Sequence, residues 1–155
     1  MKDRAPRPRL EEIGLVNYPP YLMNGIMACY NAAIRAEMSK LGLTTPKMRA
    51  LAVLSVMDGQ VIGQLAMHAI IEKSTLSRAV DALQTDGLIR RETDAADSRA
   101  VRVYITEVGR NAFESLWPHM ANTYQDMFAG IDPGEQRDFV ATLQKIHAKT
   151  SKAEV

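Results

Sequence analysis

The chain has 155 residues, 46% of them hydrophobic and 24% charged, which is the composition of an ordinary soluble protein long enough to bury a core. Its 19 basic and 18 acidic residues leave a net charge of +1, so any attraction for DNA must come from the placement of charges rather than from a bulk field. The single cysteine, Cys29, excludes an internal disulfide and a multi-cysteine metal site, and it indicates a reducing compartment.

Residues 1–18 contain charges and prolines but no apolar run, which predicts a flexible N-terminal arm. They do not form the pattern of a signal peptide or a membrane anchor. No later run approaches the roughly 18 apolar residues that cross a bilayer. We therefore expect a cytoplasmic protein with no membrane partner.

A long helix is predicted over residues 20–41, because apolar residues recur there at three- and four-residue spacing. Its apolar face is wider than one neighbour needs, so the helix is expected to be buried on more than one side, either centrally or against a second subunit. Cys29 lies among these apolar residues without an adjacent base. We interpret it as an inert core residue.

The next segments form a predicted helix-turn-helix. A helix comes first, for which Thr45 is the expected cap, with Pro46 in the first turn and Asp58 and Gly59 at its end. A short helical segment over residues 61–67 then leads through a linker to a helix over residues 73–86.

The helix over residues 73–86 has two different faces. Its apolar stripe is predicted to pack on the core and consists of Leu76, Ala79, Val80 and Leu83. The opposite stripe carries Ser74, Arg78, Asp81 and Thr85, and its first two members lie where a recognition helix reaches base edges and phosphates. Taken alone, the pattern also fits a solvated amphipathic helix.

Two strands follow Gly87, over residues 88–92 and 101–105, and the polar connection between them is too long for a tight turn. This connection predicts a wing. Arg99 could enter a narrow minor groove, where the negative potential is enhanced, although an ordinary exposed loop charge is the alternative. Asp97 is expected to pair with a nearby arginine and so to hold the shape of the loop.

Thr106 is predicted to cap another long helix, and Asp132 a final one. The fold class is therefore mainly α with a small β-hairpin wing: a winged helix-turn-helix over residues 45–106, flanked by a helical dimerisation region over residues 19–44 and 107–149. A homodimer would bind a palindromic site with its recognition helices roughly 34 Å apart.

Several segments resemble the MarR (multiple antibiotic resistance regulator) family of bacterial repressors. They are LGLTTPKMRAL (41–51), STLSRAVDALQTDGLIRR (74–91), DSRAVRVYIT (97–106) and the EVGR that follows. The resemblance implies a homodimeric, sequence-specific transcriptional regulator, a repressor that binds double-stranded DNA through Ser74, Thr75, Ser77 and Arg78, through Arg99 in the minor groove, and with Asp97 in a salt bridge within the wing. The basic residues Lys73 and Arg91 of the same segment complete the DNA-binding candidates.

The resemblance also implies a small phenolic or aromatic carboxylate effector that releases the operator. Arg49 is attractive in this role because a guanidinium can pair bidentately with a carboxylate. The candidate ligand-binding residues are Tyr21, Asn24, Met27, Arg49, Trp117 and His119. No cofactor is expected.

Other classes of function are less well supported. The three histidines, His68, His119 and His147, have neither metal-ligand spacing nor a nucleophile partner, which argues against an enzyme and against a zinc-sensing regulator. The remaining alternative is a winged-helix module for protein association without specific DNA binding.

Overall fold

The computed structural model describes residues 7–151, which form a mainly helical fold with a small antiparallel sheet. The predicted fold class is confirmed. In chain order the elements are α1 (Leu10–Ile13), a 3-10 turn (Leu15–Asn17), α2 (Pro19–Lys40), α3 (Thr45–Val56), β1 (Gln60–Val61), α4 (Ile62–Ala69), α5 (Lys73–Thr85), β2 (Ile89–Thr93), β3 (Val101–Ile105), α6 (Glu107–Met127) and α7 (Pro133–Thr150).

The chain divides into two compact units, with the boundary between Met120 and Ala121. Of the predicted flexible arm, residues 1–6 lie outside the described residues. The rest of that segment contains α1 and the 3-10 turn, so part of it is regular, and its flexibility stays a prediction. No helix within residues 7–151 is long and apolar enough to cross a membrane.

Helix α2 lies close to its predicted bounds, but within the chain it buries only Ile34 and Met38. The interpretation of Cys29 as a core residue is wrong. Its side chain is exposed, because no element within residues 7–151 covers it. The wide apolar face read from the sequence is real, and most of it is open, as the exposure of Tyr21, Leu22, Ile26 and Met27 shows.

The core of the first unit joins α2 to the winged helix. Its side chains come from α2, α3, α4, α5, the hairpin and the first half of α6, and the largest of the fully buried ones are Ile34, Leu51, Leu54, Leu65, Leu76, Leu83, Leu116, Val80 and Val103. The cap of α3 differs from the prediction. Thr44 rather than Thr45 caps α3, and its Oγ1 accepts a hydrogen bond from the Lys47 N–H.

The sheet has three strands in the order β1-β3-β2, all antiparallel. In the wing hairpin, Arg91 pairs with Val103 and Ile89 with Ile105. Strand β1 was not predicted. Its two residues are too few to show the two-residue alternation that identifies a strand in a sequence.

The first turn of α6 packs directly on the residue that precedes β2. As predicted, Thr106 caps this helix, since its Oγ1 accepts a hydrogen bond from the Gly109 N–H at 3.0 Å. A Cβ at Gly109 would lie 2.0 Å from the backbone oxygen of Leu88. Only glycine therefore allows α6 to begin this close to the hairpin.

In the second unit, α7 begins as its sequence predicts. Asp132 Oδ1 accepts hydrogen bonds from the N–H groups of Gly134 and Glu135. The rings of Tyr124, Phe128 and Phe139 contact one another in sequence, with centroid separations of 5.3 and 6.1 Å. No described residue of α7 is buried, so its apolar face also remains open within the chain.

The turn between α4 and α5 contains an unusual backbone conformation. Ile70 has φ 55° and ψ 53°, and within residues 7–151 it is the one non-glycine residue with a positive φ. A β-branched side chain is strained in this left-handed region. Its carbonyl accepts a hydrogen bond from Arg49 Nη1 at 3.1 Å, which ties the turn to α3.

We expect Ile70→Asn to raise the free energy of unfolding by about 1 kcal/mol, because asparagine tolerates the left-handed conformation. Little burial is lost, since Ile70 is 68% exposed. Thermal unfolding should show a Tm higher by roughly 2–4 °C. The matched control is Ile131→Asn, another exposed isoleucine outside the left-handed region. An equal gain at both positions would contradict the explanation by strain.

Candidate nucleic-acid interface

Helix α5 is fixed in the core by the stripe predicted from the sequence. Leu76, Ala79, Val80 and Leu83 are all buried. Their burial determines which residues face outward, because positions on the opposite side of a helix cannot reach the core. Ser74, Thr75, Ser77 and Arg78 are exposed near the start of the helix, as a recognition helix requires.

The start of α5 is capped by a carboxylate that also binds two of the candidate hydroxyl groups. Glu72 Oε1 accepts from the Ser74 N–H at 3.3 Å, and Oε2 accepts from the hydroxyls of Ser74 and Thr75. These hydrogen bonds, the one from the Ser74 hydroxyl foremost, hold the pKa of the Glu72 carboxyl below its usual range. The carboxylate is therefore charged at neutral pH.

The arginines near α5 differ in their availability. Arg91 of β2 pairs with Asp81 of α5, and its Nε is buried without a hydrogen-bond partner in the part of the chain that the structure describes. Arg90 pairs with Glu92 and stacks on Tyr104, with 4.4 Å from its Cζ to the ring centroid. These contacts brace the hairpin against the recognition helix and within itself.

Three basic candidates remain without an ion pair among residues 7–151: Lys73, Arg78 and Arg99. All three side chains are exposed. Lys73 and Arg78 lie on α5, and Arg99 lies in the wing. The net charge of the interface is thus close to zero, but a few exposed basic side chains are available to bind phosphate.

The carboxylate that holds the wing is Asp94, which is only 8% exposed. Its Oδ1 accepts from the N–H groups of Ala96 at 2.8 Å and Asp97 at 3.0 Å, and its Oδ2 pairs with Arg102 Nε. The two backbone hydrogen bonds, followed by Arg102, hold the pKa of Asp94 below its usual range. A buried charge of this kind is stabilised only because its partners are all in place.

The prediction that Asp97 forms the salt bridge of the wing is therefore wrong, because Asp94 forms it with Arg102. Asp97 Oδ1 accepts from the Arg99 N–H at 3.0 Å instead, a local bond that shapes the tip of the wing. The backbone geometry explains this difference, because Asp94 directly follows β2 and Arg102 is the second residue of the neighbouring strand β3. Asp97 lies farther out in the loop.

Arg102 extends the wing network to the turn after α3. Its Nη1 donates to the Gly59 carbonyl at 2.7 Å, and Asp58 Oδ1 accepts from the Ile105 N–H at 2.9 Å. Asp58, Asp94 and Arg102 were not among the sequence candidates. The available signal was weak: an acidic and a basic residue near the two ends of a predicted hairpin connection.

The ligand candidates make contacts in different parts of the first unit. Arg49 binds the Ile70 carbonyl, His119 Nε2 lies 3.6 Å from Glu37 Oε2, and Trp117 lies beside Phe113. Tyr21, Asn24 and Met27 are exposed on α2. A groove of about 370 Å³ is present in the second unit, and none of these candidates lines it.

Comparison with known proteins identifies the family. A transcriptional regulator of the MarR family from Silicibacter pomeroyi is 56% identical in sequence, with a TM-score of 0.86, over 92% of this chain and 96% of that one. The chain belongs to the MarR family. The MarR family model matches residues 41–100. A further MarR family regulator from Silicibacter pomeroyi DSS is 27% identical, with a TM-score of 0.79, over 97% of this chain and 99% of that one.

Among curated relatives, the HTH-type transcriptional repressor IacR of Pseudomonas putida is 27% identical over 80% of this chain and 74% of its own length. The present chain is accordingly a transcriptional regulator of the MarR type with a DNA-binding winged helix. Within residues 7–151, no group of three or more His, Cys, Asp or Glu side chains is arranged to hold a metal ion.

We expect Asp94→Ala to loosen the wing and to accelerate tryptic cleavage after Arg99 several-fold, because Arg102 and two N–H groups lose their acceptor. Limited proteolysis followed by mass spectrometry measures this rate. Asp97→Ala removes a single backbone hydrogen bond and should have a smaller effect. If Asp97→Ala produced the larger acceleration, the assignment of Asp94 as the wing's anchor would be wrong.

The lowered pKa also gives the wing a pH dependence with a definite sign. A depressed folded-state pKa contributes stability above the unfolded pKa, and this contribution is lost as the pH falls through the folded value. In wild type, wing cleavage should therefore be insensitive to pH near neutrality, apart from the protease's own dependence. The Asp94→Ala protein lacks this contribution at every pH.

Proposed function

We propose that this MarR-type regulator is a repressor that binds a palindromic operator as a homodimer and is released by a small aromatic ligand. The observation that carries the proposal is the set of three exposed cations, Lys73, Arg78 and Arg99, on the outer face of α5 and in the wing, which have no ion pair among the described residues. Basic side chains in these two places suit a helix that enters the major groove beside a wing that reaches the minor groove. The curated relative IacR is itself named a repressor.

The remaining DNA contacts follow from the same surface. Ser74, Thr75 and Ser77 would contact bases or phosphates from the first turn of α5. Arg91 would act mainly through Asp81, by positioning β2 beside the recognition helix. Asp97 would shape the loop that presents Arg99.

A homodimer is supported by the apolar side chains left open at both chain ends. Leu22, Ile26 and Met27 on α2 and Phe139, Val140 and Ile146 on α7 are exposed in the single chain. Large exposed apolar patches usually mark an interface. We propose residues 19–44 and 107–149 as the dimerisation region and residues 45–106 as the DNA-binding domain, with each dimer presenting two recognition helices to one duplex.

The alternative is a winged helix that associates with another protein and does not bind a specific DNA sequence. One observation favours it. Within residues 73–106 there are six basic and five acidic residues, and Arg90, Arg91 and Arg102 are already paired with carboxylates. The ratio of the affinities for an operator and for random duplex distinguishes these two functions.

Wild-type protein should bind an inverted repeat, obtained by selection from random duplex, at least about tenfold more tightly than random duplex at about 150 mM salt, with two chains per repeat. Six free cations in a dimer predict a slope of log affinity against log salt of about −5. Arg78→Ala and Arg99→Ala should each weaken operator binding roughly tenfold or more and reduce the slope by about 2. Fluorescence anisotropy measures all of these.

The matched control is Arg35→Ala, which removes the same charge from an exposed position on α2. It should leave operator affinity and slope nearly unchanged. Equal affinity for operator and random duplex in wild type would favour the protein-association module. Unchanged operator affinity in both the Arg78 and Arg99 variants would show that the wrong surface has been assigned.

We propose that the effector is an aromatic carboxylate or phenol bound near Tyr21, Asn24, Met27, Arg49, Trp117 and His119. The support is chemical: Trp117 offers an exposed aromatic face and Arg49 a cation. Because Arg49 also binds the Ile70 carbonyl, a carboxylate that attracts its guanidinium would compete with the bond to the turn before α5.

Hydroxybenzoic acids should weaken operator binding of the wild type by about 5- to 100-fold, which corresponds to a coupling of roughly 1–3 kcal/mol. Trp117→Ala should abolish this release while leaving operator affinity in the absence of acid unchanged, because Trp117 lies beside Phe113 on α6 and is not one of the proposed DNA contacts. Val108→Ala, another exposed position on α6, serves as the control. Competition anisotropy at increasing acid concentration measures the release. If the Trp117→Ala protein still released the operator fully in the presence of acid, Trp117 would not be part of the ligand site.

A further inference from the structure

We propose that Glu72 is an autoinhibitory residue of the DNA-binding surface. In the free protein its carboxylate occupies the hydrogen-bond donors of Ser74 and Thr75, which a DNA phosphate must take over when the recognition helix docks. This inference rests on the proposed function, because it concerns the same surface and the same ligand, double-stranded DNA.

The contacts of Glu72 include every donor that the side chains of Ser74 and Thr75 possess. The Ser74 N–H donates to Oε1 at 3.3 Å, the Ser74 hydroxyl donates to Oε2, and the Thr75 hydroxyl donates to Oε2 at 3.3 Å. Each hydroxyl has one hydrogen to donate. Neither is free to donate to DNA while the carboxylate stays in place.

Capping alone does not account for a glutamate at this position. Serine, threonine, aspartate and asparagine are the preferred residues there, since a short side chain reaches the first free N–H groups of the helix. Glu72 makes that bond too, but its longer side chain also reaches two hydroxyls in the first turn. The additional reach is what places a negative charge among the donors.

Other carboxylates on this surface have different partners. Asp81 holds Arg91, and Glu92 holds Arg90, so both are neutralised by a guanidinium. Glu72 has no basic partner within the described residues, and its charge is held by hydroxyl and N–H groups alone. A phosphate that approached the start of α5 would meet an uncompensated negative charge. Binding would have to displace the carboxylate and overcome its repulsion of the phosphate.

The direct test is Glu72→Ser, which retains a preferred cap and removes the carboxylate. We expect about tenfold tighter binding to random duplex and to the selected inverted repeat, because the freed donors can bind phosphate. The salt slope should change by much less than about 0.9 for each protomer, because the freed donors are neutral and counterion release follows the phosphates that cations neutralise. Glu114→Gln, which removes the same charge from an exposed position on α6, should change neither quantity.

A second set of variants separates competition for the donors from a general change in charge. Ser74→Ala with Thr75→Val removes both hydroxyls. The pair should weaken binding in both backgrounds, but more strongly in the Glu72→Ser protein, where it should also cancel most of the tenfold gain. If the gain persisted without the hydroxyls, Glu72 would act only through its field and the proposal would be overturned. Thermal unfolding of each variant confirms that it is folded.

The outcomes distinguish this inference from the function on which it rests. Wild-type protein that binds the inverted repeat no better than random duplex overturns the proposed function, and the inference with it. Specific binding by wild type together with unchanged or weaker binding by Glu72→Ser overturns the inference alone. Tighter binding that depends on Ser74 and Thr75 supports both.

Discussion

The proposed DNA-binding surface depends on the contacts of one arginine, Arg102. It pairs with the nearly buried Asp94 at one end and binds the carbonyl of Gly59 at the other, so it joins the wing to the turn between α3 and β1. Asp94 in turn holds the N–H groups of Ala96 and Asp97. Without Arg102, a carboxylate with little exposure to water would lose its cation, and the loop that presents Arg99 would lose its shape.

The same pairing explains how a chain with almost no net charge can present a surface for nucleic acid. Three carboxylates near α5 and the wing, Asp81, Glu92 and Asp94, pair with arginines, which leaves a small number of cations exposed at defined positions. A weak bulk field lowers attraction to arbitrary DNA, while placed donors retain their effect at short range. Specificity in such a surface rests on geometry more than on attraction.

The sequence predicted the elements that repeat a pattern over many residues, and it failed where a single contact decides the outcome. The apolar stripe of α5 and the alternation in β3 were sufficient to place both. Strand β1 has two residues and no pattern. Cys29 has apolar neighbours in the sequence but is exposed, because burial depends on what covers a helix face. Asp94 and Asp97 are equivalent in sequence, and only the fold of the hairpin decides which one meets Arg102. The roles of the DNA-binding and ligand-binding candidates stay predictions.

The missing side chain of Gly109 has a mechanical consequence. The Leu88 oxygen lies 2.0 Å from where a Cβ of residue 109 would be. The Thr106 hydroxyl also binds the Gly87 carbonyl, and the Thr106 N–H binds the Leu88 carbonyl, so the first turn of α6 is held tightly against the start of the hairpin. They form a rigid joint. A tilt of the first turns of α6 is therefore also a tilt of the wing's stem, and the length of the hairpin converts a small rotation at its base into a larger displacement at its tip.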